Sequence, residues 1–132
     1  MIWLTAGGIV ALDQLSKFLF LYFSPYYTSI NSGALAFSNV QATIITIIFL
    51  LLLLGLFLRD KKHLTKYFIA SLGFALALGG SISNLIDRIS RSGVLDLGNK
   101  TIGTNLADIC IFVGLFLLFY FYLSKRTVER QG

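Results

Sequence analysis

The chain has 132 residues, of which 56% are hydrophobic and 13% charged. Because a soluble domain of this size needs far more charge on its surface, the composition predicts one polytopic membrane domain over residues 1–132, without a soluble appendage. The net charge of +5 comes largely from clusters that flank apolar runs, which favours topology signals and argues against nucleic-acid binding.

Four apolar segments of membrane-spanning length follow one another along the chain, at residues 2–23, 40–58, 67–86 and 106–123. Each is close to the ~20 residues that a helix needs to cross about 30 Å of hydrocarbon. The first segment lacks a basic leader and carries Asp13 and Lys17, so we interpret it as a retained span and not as a signal peptide. The pattern predicts an all-α integral membrane protein with four transmembrane helices and small extracytoplasmic loop elements.

The orientation follows from two basic segments. We interpret residues 59–66 as a basic loop between the second and third spans, and residues 125–130 as a basic tail after the fourth. Two helices separate them, so both lie on one side, which the positive-inside rule makes cytoplasmic. Both termini are then cytoplasmic, and residues 24–39 and 87–105 are extracytoplasmic.

This orientation gathers polar residues at the outer membrane boundary. Asp108 lies about one turn into the fourth span, and Asp96 lies in a short loop before it. Two carboxylates that share a site do not both ionise readily, so one keeps a proton while the other can deprotonate water, as in aspartic peptidases. The alternatives are helix capping for Asp108 and a solvated loop aspartate for Asp96.

Other polar residues have structural as well as functional interpretations. Asn84, Asp87 and Arg88 share a helical face, which suits either orientation of the acids or an interhelical clamp with an Asp87–Arg88 surface pair. Asp13 and Lys17 have the i, i+4 spacing of an ion pair that offsets their burial. No Cys/His cluster is present, so we expect neither a metal nor another cofactor.

Several motifs, in order along the chain, resemble those of the lipoprotein signal peptidase (signal peptidase II) family. Asp13-Gln-Leu-Ser-Lys17 resembles D-Q-x-[ST]-K, and the stretch from Asn31 to Ser38 resembles N-x-G-A-A-F-[SG]. The stretch from Gly79 to Arg88 resembles G-G-x-x-G-N-x-x-D-R, and Gly93-Val-Leu-Asp96 resembles G-x-V-x-D. Thr104-Asn105-Leu-Ala-Asp108 resembles F-N-x-A-D.

The resemblance implies a four-helix aspartyl peptidase of the bacterial cytoplasmic membrane, with its site at the extracytoplasmic face. It implies cleavage of a diacylglyceryl-modified prolipoprotein before the lipidated cysteine, by a chain that we expect to be a monomer among membrane lipids. The implied roles are a catalytic pair, Asp96 and Asp108; substrate-binding or orienting residues Asn31, Gly33, Asn84, Arg88 and Asn105; and a polar scaffold of Asp13, Lys17 and Asp87. We keep Asp87 as a rival to Asp96, because it lies closer to the membrane in the linear sequence.

The chain also departs from the family pattern. Ser83 stands in place of a glycine, Thr104 in place of a phenylalanine, and the outer segments are short. These departures affect the expected substrate range more than the chemistry. Two alternatives remain: a small proton-coupled transporter that uses Asp13 and Asp108 as relay groups, and a catalytically inactive assembly paralogue.

Overall fold

The structure is a computed structural model that describes residues 1–23, 28–31, 38–97 and 104–131, with the side chains of Asn31, Leu97 and 126–131 excluded. Its elements are α1 (Ile2–Phe23), β1 (Thr28–Asn31), α2 (Asn39–Lys66), α3 (Phe68–Arg91), β2 (Val94–Leu97) and α4 (Leu106–Gln131). All four helices are long and apolar enough to cross a membrane, so the predicted fold class is confirmed.

Helix α3 is the centre of the bundle. In its most apolar window 61% of the residues are buried, against 11% in α2, and α1, α2 and α4 all pack on it. Two adjacent glycines allow the closest of these contacts. A Cβ atom on Gly79 would lie 2.7 Å from the carbonyl oxygen of Ala6 in α1, and one on Gly80 would lie 2.5 Å from that of Ala107 in α4. Small residues therefore bring α1 and α4 against α3 at the level where the polar residues begin.

Helix α2 is longer than the sequence predicted. It begins with a capping box, in which the side chains of Ser38 and Gln41 bond each other's backbone N–H groups, and it continues to Lys66. The segment 59–66, which we predicted to be a basic loop, is therefore helical, and only Asp60 leaves helical geometry, with φ −116° and ψ 23°. Lysine is a good helix former, so a dense positive charge marks a membrane flank without ending the helix.

Two short strands cover the other end of the bundle. β1 and β2 pair antiparallel, with Ser29 opposite Asp96 and Asn31 opposite Val94. Asp96, which we predicted to lie in a loop, is thus in a strand. The physical reason is that Val94 and Leu95 are buried and buried backbone N–H and C=O groups require partners. Pairing with β1 and the Asp87 carboxylate, which accepts from the Leu95 N–H, supply them.

Candidate active site

Asp96 and Asp108 come together at the strand-covered end of the bundle. Asp96 is carried by β2 and is only 4% exposed. Asp108 is half-buried in the first turn of α4. The two carboxylates lie close enough for their charges to interact, so the strand and the helix terminus bring to one place the two acids that the sequence singled out.

Two asparagine amides hold this carboxylate pair. Asn84 Nδ2 donates to Asp108 Oδ1 at 2.7 Å, and Asn105 Nδ2 donates to Asp96 Oδ1 at 2.9 Å. Asn105 Oδ1 also accepts from the Asp108 backbone N–H at 2.9 Å, so one amide joins both acids. The side-chain cap of α4 therefore comes from Asn105, which leaves the Asp108 carboxylate to accept from Asn84.

Arg88 provides positive charge beside the pair. It is 8% exposed, and its guanidinium interacts electrostatically with Asp108, Asp96 and Asp87. Its Nη1 donates to Asn39 Oδ1 at the start of α2, at 3.4 Å. Among the described residues, Arg88 Nε and Asn84 Oδ1 have no hydrogen-bond partner. One buried donor and one buried acceptor on the same face of α3 are thus left without a partner among the described residues.

A second polar cluster lies behind the pair, and three of its charged members, Asp13, Lys17 and Asp87, are fully buried. Lys17 Nζ forms ion pairs with Asp13 Oδ2 and, at 2.7 Å, with Asp87 Oδ2. The predicted i, i+4 pair in α1 is therefore present. The cation also bridges to α3, which the spacing along α1 did not predict.

This ion cluster is connected to the carboxylate pair through the backbone. Asp87 Oδ2 accepts from the N–H of Leu95 at 3.3 Å, and Asp13 Oδ1 accepts from the N–H of Ala107 at 2.9 Å. Leu95 and Ala107 immediately precede Asp96 and Asp108. Lys17 thus joins two buried carboxylates. Each of them accepts from the backbone N–H of the residue just before one member of the pair.

Asp87 has its partners inside this cluster, contrary to one interpretation of the sequence. We considered a surface pair with Arg88, but Asp87 is buried and instead pairs with Lys17 and, four residues along α3, with Arg91. The i, i+4 spacing of Asp87 and Arg91 was the available sequence signal. Burial explains why Asp87 has these partners, because a buried carboxylate without a partner destabilises the folded state.

Gln14 and Ser83 are cluster members to which the sequence assigned no role. Gln14 Nε2 donates to Ser83 Oγ and to Asp87 Oδ1, both at 2.9 Å, and Ser83 Oγ donates to Asp13 Oδ2 at 2.6 Å. Ser83 stands where the family pattern has a glycine. That departure therefore adds a hydroxyl donor to a buried carboxylate. The serine in place of the family's glycine is the sequence signal for this extra hydrogen bond.

The remaining predicted site residues lie in the first outer segment. Asn31 is the last residue of β1, and its backbone lies opposite Val94. Its side chain lies outside the described atoms. Gly33 lies outside the described residues altogether. In the ranges that are described, no group of three or more His, Cys, Asp or Glu side chains is arranged to hold a metal ion.

Comparison with known proteins finds similar sequences along most of the chain. Residues 5–124 match the family described as Signal peptidase (SPase) II. A lipoprotein signal peptidase of Bacillus pumilus is 30% identical, covering 96% of each chain, and one of Geobacillus thermodenitrificans is 28% identical, covering 97% of this chain and 92% of the relative.

Two solved structures share the fold. Both are described as bacterial membrane enzymes, one at 2.3 Å and one at 1.9 Å resolution. The first superposes with a TM-score of 0.76 at 24% identity, over 97% of this chain and 90% of that one. The second has a TM-score of 0.72 at 25% identity, over 92% of each chain.

Proposed function

This chain belongs to the signal peptidase II family, and from that membership we propose that it is an aspartic endopeptidase of lipid-modified prolipoproteins. It removes the signal peptide by cleaving before the diacylglyceryl-modified cysteine. The observation that carries the proposal is that Asp96 and Asp108 share one site and are joined through Asn105. The transporter and assembly alternatives gain no support from relatives that are named as peptidases.

The chemistry follows from two unequal protonation states. One aspartate, ionised, takes a proton from a water molecule as the water oxygen bonds to the scissile carbonyl carbon. The other, protonated, donates a hydrogen bond to the carbonyl oxygen and stabilises the developing charge. Collapse of the tetrahedral intermediate breaks the C–N bond, and the leaving nitrogen takes up the proton that the first aspartate acquired.

The neighbouring residues orient the pair and the substrate. Asn84 and Asn105 each donate to one oxygen of one aspartate, which fixes the direction of the remaining oxygens. The free Asn84 carbonyl and Arg88 Nε–H are matched to a peptide N–H and C=O in an extended substrate. Asn31 and Gly33 contact the substrate from the first outer segment.

Asp96, and not Asp87, is the partner of Asp108 in this proposal. Both oxygens of Asp87 already accept from protein donors, namely Lys17, Arg91, Gln14 and the Leu95 N–H. A carboxylate whose two oxygens accept from four protein donors has no oxygen left to activate water. Asp87 therefore acts as a scaffold residue together with Asp13 and Lys17.

We propose that the protein lies in the bacterial cytoplasmic membrane with the carboxylate pair at the extracytoplasmic face. In support, the basic stretch at 59–66 ends α2, and the basic stretch at 125–130 ends α4, whose first turn carries Asp108. Positive flanks of this kind remain cytoplasmic. We propose that the chain functions there as a monomer.

The test is cleavage of a synthetic diacylglyceryl prolipoprotein by the purified chain in detergent. We expect Asp96→Asn and Asp108→Asn each to lower kcat by about 10²–10⁴-fold, the usual contribution of general acid–base catalysis. Asp60→Asn is the matched control, because Asp60 lies at the other end of the bundle and asparagine keeps an acceptor for Tyr122. Circular dichroism checks that each variant is folded. Full cleavage by both folded site variants would overturn the assignment.

A further inference from the structure

A groove runs along the lipid-facing side of the bundle between α1 and α2. Both helices pack on α3 but scarcely contact each other, so α3 forms the floor of the groove. The middle of the groove is a cavity of about 310 Å³ with a wholly apolar lining that includes Leu51, Phe74 and Leu78. That volume lies at the lower end of the range for small-molecule sites in proteins.

The groove becomes polar toward the end that lies opposite Asp96 and Asp108. A second cavity of about 170 Å³ shares Trp3 and Phe57 with the first, and its lining adds Lys61, Thr65 and Ser71. Trp3 and Phe57 meet edge to face with 5.5 Å between ring centroids. The two cavities are therefore neighbours on either side of the Trp3–Phe57 contact, one apolar and the other lined in part by hydroxyl and amine groups.

The charge at the polar end comes from Lys61. Both hydroxyls there are committed to backbone carbonyls, that of Thr65 to Lys61 and that of Ser71 to Leu64. Lys61 forms no ion pair with any acidic residue in the described ranges. Its sequence neighbour Asp60 accepts instead from the Tyr122 hydroxyl at 2.7 Å. An uncompensated ammonium group thus lies where an apolar groove reaches the membrane boundary.

We propose that this groove is a binding site for an anionic phospholipid of the leaflet opposite the carboxylate pair. An acyl chain occupies the apolar cavity, and the phosphate lies against the Lys61 ammonium. Basic pockets between transmembrane helices on the cytoplasmic side attract anionic headgroups. The positive-inside prediction assigns this end to that side. The headgroup end of the site, at Lys61, is at the opposite end of the bundle from Asp96 and Asp108.

The chain carries its own probe for this site, since Trp3 is the only tryptophan and lines both cavities. The full chain is reconstituted in phosphatidylcholine vesicles that contain either dibrominated phosphatidylglycerol or dibrominated phosphatidylcholine, with bromine on the acyl chain. Trp3 fluorescence is then measured as the brominated fraction rises. We expect half-maximal quenching at about five-fold lower mole fraction for the anionic lipid, the effect of one lysine near a membrane surface.

Three lysine variants distinguish a specific site from general electrostatic attraction. Lys61→Gln should abolish the preference for phosphatidylglycerol, and Lys61→Arg should keep it. Lys62→Gln is the matched control, because it removes the same charge from the next residue of α2 without touching the groove lining. The proposal is overturned if the wild-type chain is quenched equally by both lipids. It is also overturned if Lys62→Gln loses the preference as fully as Lys61→Gln.

Discussion

Replacement of Lys17 by methionine tests the connection between the ion cluster and the carboxylate pair. Methionine keeps a similar length and removes the ammonium group, which is fully buried between Asp13 and Asp87. Removal of one partner from a buried ion pair usually costs about 3–5 kcal/mol of stability, because the remaining charge is left uncompensated. The cost of Lys17→Met should lie near the lower limit, about 3 kcal/mol.

The lower limit of this destabilisation applies because each carboxylate keeps at least one other partner. Asp87 keeps Arg91, while Asp13 keeps the hydroxyl of Ser83 and the N–H of Ala107. The loss should nevertheless displace the backbone beside the carboxylate pair, since Asp13 and Asp87 accept from the N–H groups of the residues just before Asp108 and Asp96. A displacement of about 1 Å costs roughly 10²-fold in rate. We therefore expect kcat to fall about 10²-fold while KM changes little.

The assay combines SDS-induced unfolding in mixed micelles with prolipoprotein cleavage by the folded fraction. The double variant Asp13→Asn with Lys17→Met is the informative control. It neutralises the carboxylate that the single variant leaves unpaired, so its destabilisation should be smaller than the sum of the two single variants by at least about 0.5 kcal/mol. A single variant as stable and as active as the wild type would refute the reasoning. Lost cleavage with unchanged stability would also refute it, because it would put Lys17 in the chemistry itself.

Two further predictions concern helix packing and the cap of α4. Gly80→Val places branched carbons where a Cβ would already lie 2.5 Å from the Ala107 carbonyl oxygen, so overpacking should lower the free energy of unfolding by about 1–3 kcal/mol, measured by SDS titration. Gly55→Val, where a Cβ meets nothing within 4 Å, should be nearly neutral, and an equal loss in both would contradict close packing at Gly80. Asn105→Ala removes both the cap on the Asp108 N–H and the donor to Asp96, so stability should fall by about 0.5–2 kcal/mol and kcat at least tenfold. Unchanged kcat in the folded variant would show that Asn105 does not orient the pair.

Much of this architecture is readable from local properties of the chain. Four apolar runs predict four helices, because the length of hydrocarbon to be crossed fixes the number of residues required. The i, i+4 spacing of Asp13 and Lys17 predicts their ion pair, because residues four apart share a helical face. The same local reasoning gave a wrong prediction at 59–66, which is helical and not a loop. The positive charge there indicates where the membrane ends, but it does not indicate where the helix ends.

Contacts between distant segments depend on how the helices pack. The sequence does not indicate that Lys17 also pairs with Asp87, or that Ser83 donates to Asp13, because these partners are brought together only by the close approach of α1 and α3 at Gly79. Asn84 reaches Asp108, in the same way, because α4 packs against Gly80. The sequence by itself determined the spans and the residue types available for chemistry, since hydropathy and helical periodicity are local. The tertiary structure decided which carboxylate pairs with a cation and which lies beside another acid, since that depends on distances between segments far apart in the chain.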